Sequence, residues 1–285
     1  MKYQELLNLG AARLSQAGIS EAELDARLLL EAVCGTSKHD LLAHGEREVA
    51  AGHEERYVNH IARREKREPL QYILGEQEFM GLAFKVTPEV LIPRQDSETL
   101  VEEVLRHLHD GQTILDMCTG SGCLLLSLLH YSNYCQGTGV DISAPALAIA
   151  AENERRLRAL PRETEPIGRV TWIESDLFTK VVGQYDIIVT NPPYIPTAEL
   201  AGLMPEIRDH EPALALDGHA DGLYYYRRIV DQASQHINRY GRIFLETAPE
   251  QAATVAGMLA GGGYKDIEII KDLSGHDRVV TGKRI

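Results

Sequence analysis

TILDMCTGSGCLLLSLLHY, residues 113–131, is the stretch that decides how this chain is read. TILDMCT is a short apolar run of strand type, and CLLLSLLHY is apolar at helical length. Cys118, Thr119, Gly120, Ser121 and Gly122 join them in a turn of small residues. Strand, glycine turn and helix form the opening unit of a parallel sheet with helices on its faces. Small residues let the backbone pass close to a ligand and leave the first N–H groups of the helix free to face it. The turn is not Gly-x-Gly-x-x-Gly, and no lysine follows it as in a Walker loop. Taken alone it also fits a plain tight turn.

The same rhythm continues downstream. GTGVDIS, RVTWIESD, YDIIVTN and RIFLETA are further runs of strand type, separated by APALAIAAENERRLRAL, LYYYRRIVDQASQHI and PEQAATVAGMLA, which read as helices. The alternation predicts an α/β fold over residues 95–285: a Rossmann-like, mostly parallel sheet with helices on both faces. KDIEIIKDLSG and DRVVTGKRI have no helix between them, so an antiparallel C-terminal hairpin is expected to close the sheet. SETLVEEVLRHLHD is expected to be a helix capped by Ser97.

Upstream the pattern changes. Residues 69–94 alternate, are rich in Tyr, Ile, Phe and Val, and are broken by Gly75 and Gly81, which predicts a β-hairpin or extended connector. Residues 1–68 read as a small all-helical bundle, with Leu6, Leu7, Leu14, Leu24, Leu28 and Leu29 at helical spacing. Ser20 and Glu23 make a capping-box pattern. His39, His44, His53 and His60 lie too far apart for one helix-face metal site, and no metal is expected.

Composition excludes several classes. A hydrophobic content of 44% with 25% charged residues is that of a soluble globular protein, and no apolar run reaches membrane-spanning length. The N-terminus carries acid and lacks a signal-peptide core, and the four cysteines form no Cys-x-x-Cys pair, so a cytoplasmic protein with free thiols is expected. A net charge of −13 argues against a protein that grips phosphate backbones. The basic run ARREKRE at 62–68 reads as the solvated face of a helix.

Ligands of such sheets bind at the carboxyl ends of the strands. Besides the 116–123 turn, three features fall there. Asp141 ends the second strand about 20 positions after the glycine turn, where these folds hold a ribose by its hydroxyls. Capping of the next helix, by Asp141 or Ser143, is the competing role. Asp176 and Leu177 end the third strand, where an acid meets the exocyclic amine of an adenine and an apolar neighbour lies against the ring; a turn-forming Asp fits equally well. The fourth strand ends in TNPPYIP, residues 190–196. Two prolines stop the strand and hold Asn191 extended on a rigid mount, with Tyr194 just beyond.

Asp116-x-x-x-Gly-x-Gly122, Asp141, Asp176 and Asn191-Pro-Pro-Tyr194, in that order, resemble an S-adenosylmethionine-dependent methyltransferase acting on a planar nitrogen. REPLQYILGEQEF, LIPRQDSE, NPPYI, HEPALAL and DRVVTGKR narrow the resemblance to the HemK/PrmC family, the glutamine methyltransferases of peptide chain release factors, over nearly the whole chain. The resemblance implies S-adenosylmethionine as cofactor and S-adenosylhomocysteine as product, held by residues 118–122, Asp141, Asp176, Leu177 and Asn191. It implies a release factor as protein substrate, presented by its Gly-Gly-Gln motif; with the acidic balance, a monomer that binds no nucleic acid directly is expected.

An amide nitrogen is a poor nucleophile because its lone pair is delocalised into the carbonyl. The Asn191 side-chain oxygen and the Pro192 carbonyl are expected to accept its two N–H bonds, with the prolines 192 and 193 keeping that geometry fixed and Tyr194 stacking on the flat amide. The chain departs from the family pattern in three places. Met117-Cys118 stands for Leu-Gly, so either the φ at 118 is negative or the turn is strained. Gln95 replaces a proline, and Thr247-Ala248 a glycine, leaving Asn191 to Tyr194 untouched. Three other readings are a ribosomal-protein glutamine methyltransferase, a DNA or RNA amino methyltransferase using the same residues on a flipped base, and a non-catalytic binder.

Overall fold

A computed structural model describes residues 1–160 and 167–285, which divide into two compact units: Met1–Glu76 with Met204–His210, and Gln77–Leu203 with Glu211–Ile285.

The first unit contains α1 (Tyr3–Gln16), α2 (Ala22–Cys34), α3 (Lys38–Ala43), α4 (His53–Glu65) and α5 (Leu70–Leu74). Leu6, Leu14, Leu29, Leu30, Tyr57 and Ile61 fill its core, whereas Leu24 faces solvent. Two local expectations fail here. Glu21, not Ser20, stands at the N-cap of α2, and no side chain caps that helix; the capping box belongs to Ser37 and Asp40 at α3. Residues 70–74, expected in the extended connector, are helical: Pro69 fixes the entry and Gly75, at φ +82°, provides the left-handed exit.

Membership of residues 204–210 in this unit has an electrostatic cause. Glu206 accepts from Arg64 Nη1 at 3.0 Å and Arg67 Nη2 at 2.8 Å, and Arg64 Nε donates to the buried Asp25 at 2.7 Å. Such partners have a sequence separation of 142 for Arg64 and Glu206, beyond the reach of any local pattern.

The connector continues as the hairpin β1 (Glu76–Phe79) and β2 (Leu82–Lys85). There follow α6 (Glu98–His107), β3 (Thr113–Met117), α7 (Cys123–His130), β4 (Gln136–Asp141), α8 (Ala144–Arg158), β5 (Val170–Glu174), β6 (Tyr185–Thr190) and α9 (Pro205–Arg208). The chain ends with α10 (Tyr224–Ala233), β7 (Ile237–Glu246), α11 (Ala252–Gly261), β8 (Lys265–Lys271) and β9 (Asp277–Lys283). Among the described residues the large sheet has seven strands in the order β5-β4-β3-β6-β7-β9-β8. The first five run parallel, and β9 is antiparallel to both β7 and β8, as the missing helix between the last two strands predicts.

Strand side chains alternate between two cores. Leu115, Ile188, Ile243 and Leu245 face Tyr226 and Ile229 of α10 and Val255 and Leu259 of α11. Ile114, Val189 and Phe244 face Leu100 and Val104 of α6 and Leu125 and Leu128 of α7. Burial on both faces explains why these strands read as unbroken apolar runs. β3 pairs with β4 on one side and β6 on the other, so strand order reverses there and a crevice opens at their carboxyl ends. Met117 and Thr190 are register partners, which brings the residues that follow them, Cys118 and Asn191, to the same crevice.

Candidate functional site

A cavity of about 250 Å³ occupies this crevice. Its walls come from the ends of four strands: Cys118 and Gly120 after β3, Asp141 and Ser143 after β4, Asp176 and Leu177 after β5, Asn191 and Pro193 after β6. Glu89, Val90 and Leu91 add one side, and Pro212, Leu214, Ala215 and Tyr225 another. The lining contains the acids Glu89, Asp141 and Asp176 but no Lys, Arg or His, which favours a cationic ligand over a phosphate-bearing one.

Asp141 is the hinge of the loop. Its Oδ2 accepts from Gly120 N at 2.8 Å and its Oδ1 from Ser143 N at 2.9 Å. It does not cap α8; Ser143 does, accepting from Ala146 N at 3.2 Å. Burial raises the Asp141 pKa, and the backbone N–H groups oppose that rise. Gly120, at φ +54°, can turn its N–H to Asp141 because the left-handed region is open to it. Cys118 occupies the same region at φ +62° and Leu177 at φ +48°. Of the two alternatives for a non-glycine residue at 118, a negative φ or a strained turn, the chain adopts the second, and both strained residues line the cavity. The Cys118 thiol is pushed far up by burial and by Asp141 and Asp116, which keeps it neutral.

Thr119, Ser121 and Gly122 do not line the cavity; they hold the turn. Thr119 Oγ1 donates to Asp116 Oδ2 at 2.6 Å, and the Ser121 carbonyl accepts from Asn153 at 2.9 Å. A Cβ on Gly122 would sit 3.0 Å from the Trp172 ring and 3.2 Å from Ala150, so this glycine permits close packing there. Asp116 is wholly buried with Oδ1 unpartnered, and burial raises its pKa from the ordinary 3.8 to about 7. An acid raised in the folded state contributes stability below its unfolded pKa and loses it as pH rises through the folded value. Wild type should lose stability between pH 5 and pH 8 relative to Asp116→Asn, by on the order of 2–4 kcal/mol. Urea unfolding at the two pH values measures this, and parallel pH dependences of the two proteins would contradict it.

Asn191 is half-buried, lines the cavity, and donates through Nδ2 to Ser97 Oγ at 3.4 Å. Ser97 thus fails as the expected helix cap: it makes no cap bond and turns its buried hydroxyl to Asn191. Pro192, buried, and Tyr194, half-buried, are outside the lining, and burial raises the Tyr194 phenol to about 12. Asp176 carries an ion pair with Arg228 at 2.9 Å.

The segment after Tyr194 is clamped by residues 216–222. Ile195 N donates to Leu216 O at 3.0 Å, Gly218 N to Ile195 O at 2.8 Å, and Gln251 Nε2 to Tyr194 O at 2.9 Å. Gly222 has φ +71°, and a Cβ there would lie 2.2 Å from the Tyr194 carbonyl oxygen. Gly222→Ala should cost about 1–3 kcal/mol in denaturant unfolding, because the backbone must move. Unchanged stability would show that the clamp is loose.

Glu246, Tyr225, Leu214 and the clamp were not singled out from sequence as site residues. HEPALAL carried Leu214 only as a family motif. An acid ending the apolar run RIFLE was the available signal for Glu246. Among the described residues no cluster of His, Cys, Asp and Glu is arranged to hold a metal ion, and no helix is long and apolar enough to cross a membrane.

Comparison with known proteins finds relatives over the whole length of the chain. The profile described as PrmC N-terminal domain matches residues 5–75, and that of the methyltransferase small domain matches residues 95–204. A release factor glutamine methyltransferase from Geobacter sulfurreducens is 41% identical over 98% of this chain and 96% of its own length. One from Moorella thermoacetica is 40% identical over 100% and 99%. Among solved structures, a T. thermophilus 16S rRNA N2 G1207 methyltransferase in complex with AdoMet and guanosine superposes with a TM-score of 0.52 at 18% identity. It covers 74% of this chain and 50% of its own, and shares the fold.

Proposed function

We propose that this chain, which belongs to the family of release factor glutamine methyltransferases, transfers a methyl group from S-adenosylmethionine to the side-chain nitrogen of the glutamine in the Gly-Gly-Gln motif of peptide chain release factors. One observation carries the reading: Asn191 of Asn-Pro-Pro-Tyr shares a single acidic cavity with Asp141 at the reversal of strand order. S-adenosylmethionine, when bound, supplies an electrophilic methyl group on a sulfonium. The cavity fits such a cation, since three carboxylates and no basic side chain line it.

Each oxygen of Asp141 accepts one backbone N–H and retains a lone pair for a ribose hydroxyl. Asp176 keeps acceptor capacity beside its ion pair for an exocyclic amine, and Leu177 and Pro193 offer apolar faces to a purine. Asn191 Oδ1 and the Pro192 carbonyl accept the two N–H bonds of the incoming amide. Their proline mount spares reorganisation as charge develops on the nitrogen. Tyr194, outside the cofactor cavity, covers the flat face of the amide.

A glutamine side chain is too small to select one protein among many, so contacts remote from the reacting nitrogen supply that discrimination. The helical unit, which holds none of the residues assigned to cofactor or amide, takes that role. The enzyme acts in the cytoplasm as a monomer and without direct contact to nucleic acid. Incubation of the full chain with methyl-labelled cofactor and, in parallel, purified release factor, ribosomes and DNA tests the reading. Label is expected in the release factor; label confined to a ribosomal protein or to nucleic acid would overturn it.

A further inference from the structure

Glu246 ends β7 beside the strand that carries Asn191, since Thr190 and Leu245 are register partners. Its carboxyl is buried, and Oε2 has no hydrogen-bond partner. Tyr226 fixes the backbone here by donating its hydroxyl to the Glu246 carbonyl oxygen at 2.7 Å. Asn191 Nδ2 donates to Ser97 Oγ at 3.4 Å, and Ser97 and Asn191 both lie near enough to the Glu246 carboxyl to lower its pKa.

We propose that Glu246, together with Ser97, is a positioning residue that locks the Asn191 amide with its nitrogen turned to the acid and its oxygen turned to the cavity. The inference rests on the function proposed above, in which Asn191 Oδ1 accepts from the substrate amide. An asparagine amide has two nearly isosteric orientations, one presenting an acceptor to the cavity and the other a donor. Only the first can receive a substrate N–H. An ionised carboxylate accepts and cannot donate, so it selects Nδ2 and leaves Oδ1 for the substrate. A protonated carboxyl can donate to Oδ1, and the selection is lost.

Burial brings this acid into a working range, and its neighbours modulate it. Burial is the largest influence and raises its pKa to about 7; Ser97, Arg278 and Asn191 lower it, and Asp96 raises it. Arg278, on β9, is shared with Asp272 and Asp96. The neighbouring phenols of Tyr194 and Tyr226 stay neutral, since burial raises both. Asp116 is the other buried acid raised to about 7, so its contribution has to be separated.

The test uses the full chain labelled with ¹⁵N-asparagine, following the Asn191 side-chain amide resonances from pH 5.5 to 8.5. They are expected to titrate near pH 7 in wild type and in Asp116→Asn, and not in Glu246→Gln. In methylation assays Glu246→Gln should lower kcat on the order of 10–100-fold, with the cofactor KM within about twofold of wild type. The fall of wild-type kcat below about pH 7 should be missing from the variant. Asn191 resonances that titrate alike in wild type and Glu246→Gln, or a variant with wild-type kcat, would overturn the lock. A wild-type titration abolished by Glu246→Gln in a protein that methylates no release factor would uphold the lock and refute the functional reading.

Discussion

Asn191→Ala is expected to lower methyl transfer by about two to three orders of magnitude while cofactor binding survives. The side chain is half-buried at the end of β6, on the mount made by Pro192 and Pro193, so its removal leaves the sheet intact. On the proposed mechanism it takes away one of the two acceptors that orient the substrate nitrogen. A buried N–H without its acceptor costs about 1–3 kcal/mol from pairing alone. Loss of the amide plane adds to this, because the lone pair no longer points along the line of transfer. Single-turnover rates with labelled cofactor measure the effect, with calorimetry reporting cofactor affinity in parallel. Near-normal turnover by the variant would remove Asn191 from the chemistry.

Asp141→Ala acts on the other partner. On the proposed mechanism the variant loses the acceptor for the ribose hydroxyls, and it frees the Gly120 and Ser143 N–H groups that the carboxylate holds at 2.8 Å and 2.9 Å. Charge-assisted contacts of this kind contribute about 1.5–3 kcal/mol, so cofactor affinity should fall on the order of 10–100-fold. Release-factor affinity should stay near that of wild type. Calorimetry showing unchanged cofactor binding would confine Asp141 to holding the turn.

The strand ends were legible in the sequence because each is announced locally. An apolar run stops at a glycine turn, an acid or a double proline, and neighbouring parallel strands place those stops in one row. Cys118, Asp141, Asp176, Leu177, Asn191 and Pro193 meet around one cavity for that reason. Thr119, Ser121 and Gly122 carry the same motif but serve the turn, since sequence spacing does not distinguish a loop's inner face from its outer one.

What was hidden depends on distant partners. Ser97 reads as a helix cap from its neighbours, yet the residue it turns to is Asn191, 94 positions away. The Gly218 and Gly222 clamp is defined only by the backbone of Tyr194 pressing against it. Residues 204–210 belong with the helical unit through Glu206, whose arginine partners lie before residue 68. The α5 helix was masked by a different cause: PLQYILG alternates like a strand, and the αL exit at Gly75 is compatible with either element.

The central claim is that the methyl group goes to one glutamine nitrogen of a release factor. Tandem mass spectrometry of a release factor from a strain lacking this gene, after incubation with the full chain and S-adenosylmethionine, tests it directly. The account predicts a single added methyl group on the glutamine side chain of Gly-Gly-Gln, absent when Asn191→Ala replaces wild type. A methyl group on any other residue, or an unmodified release factor beside a labelled ribosomal protein, would contradict it.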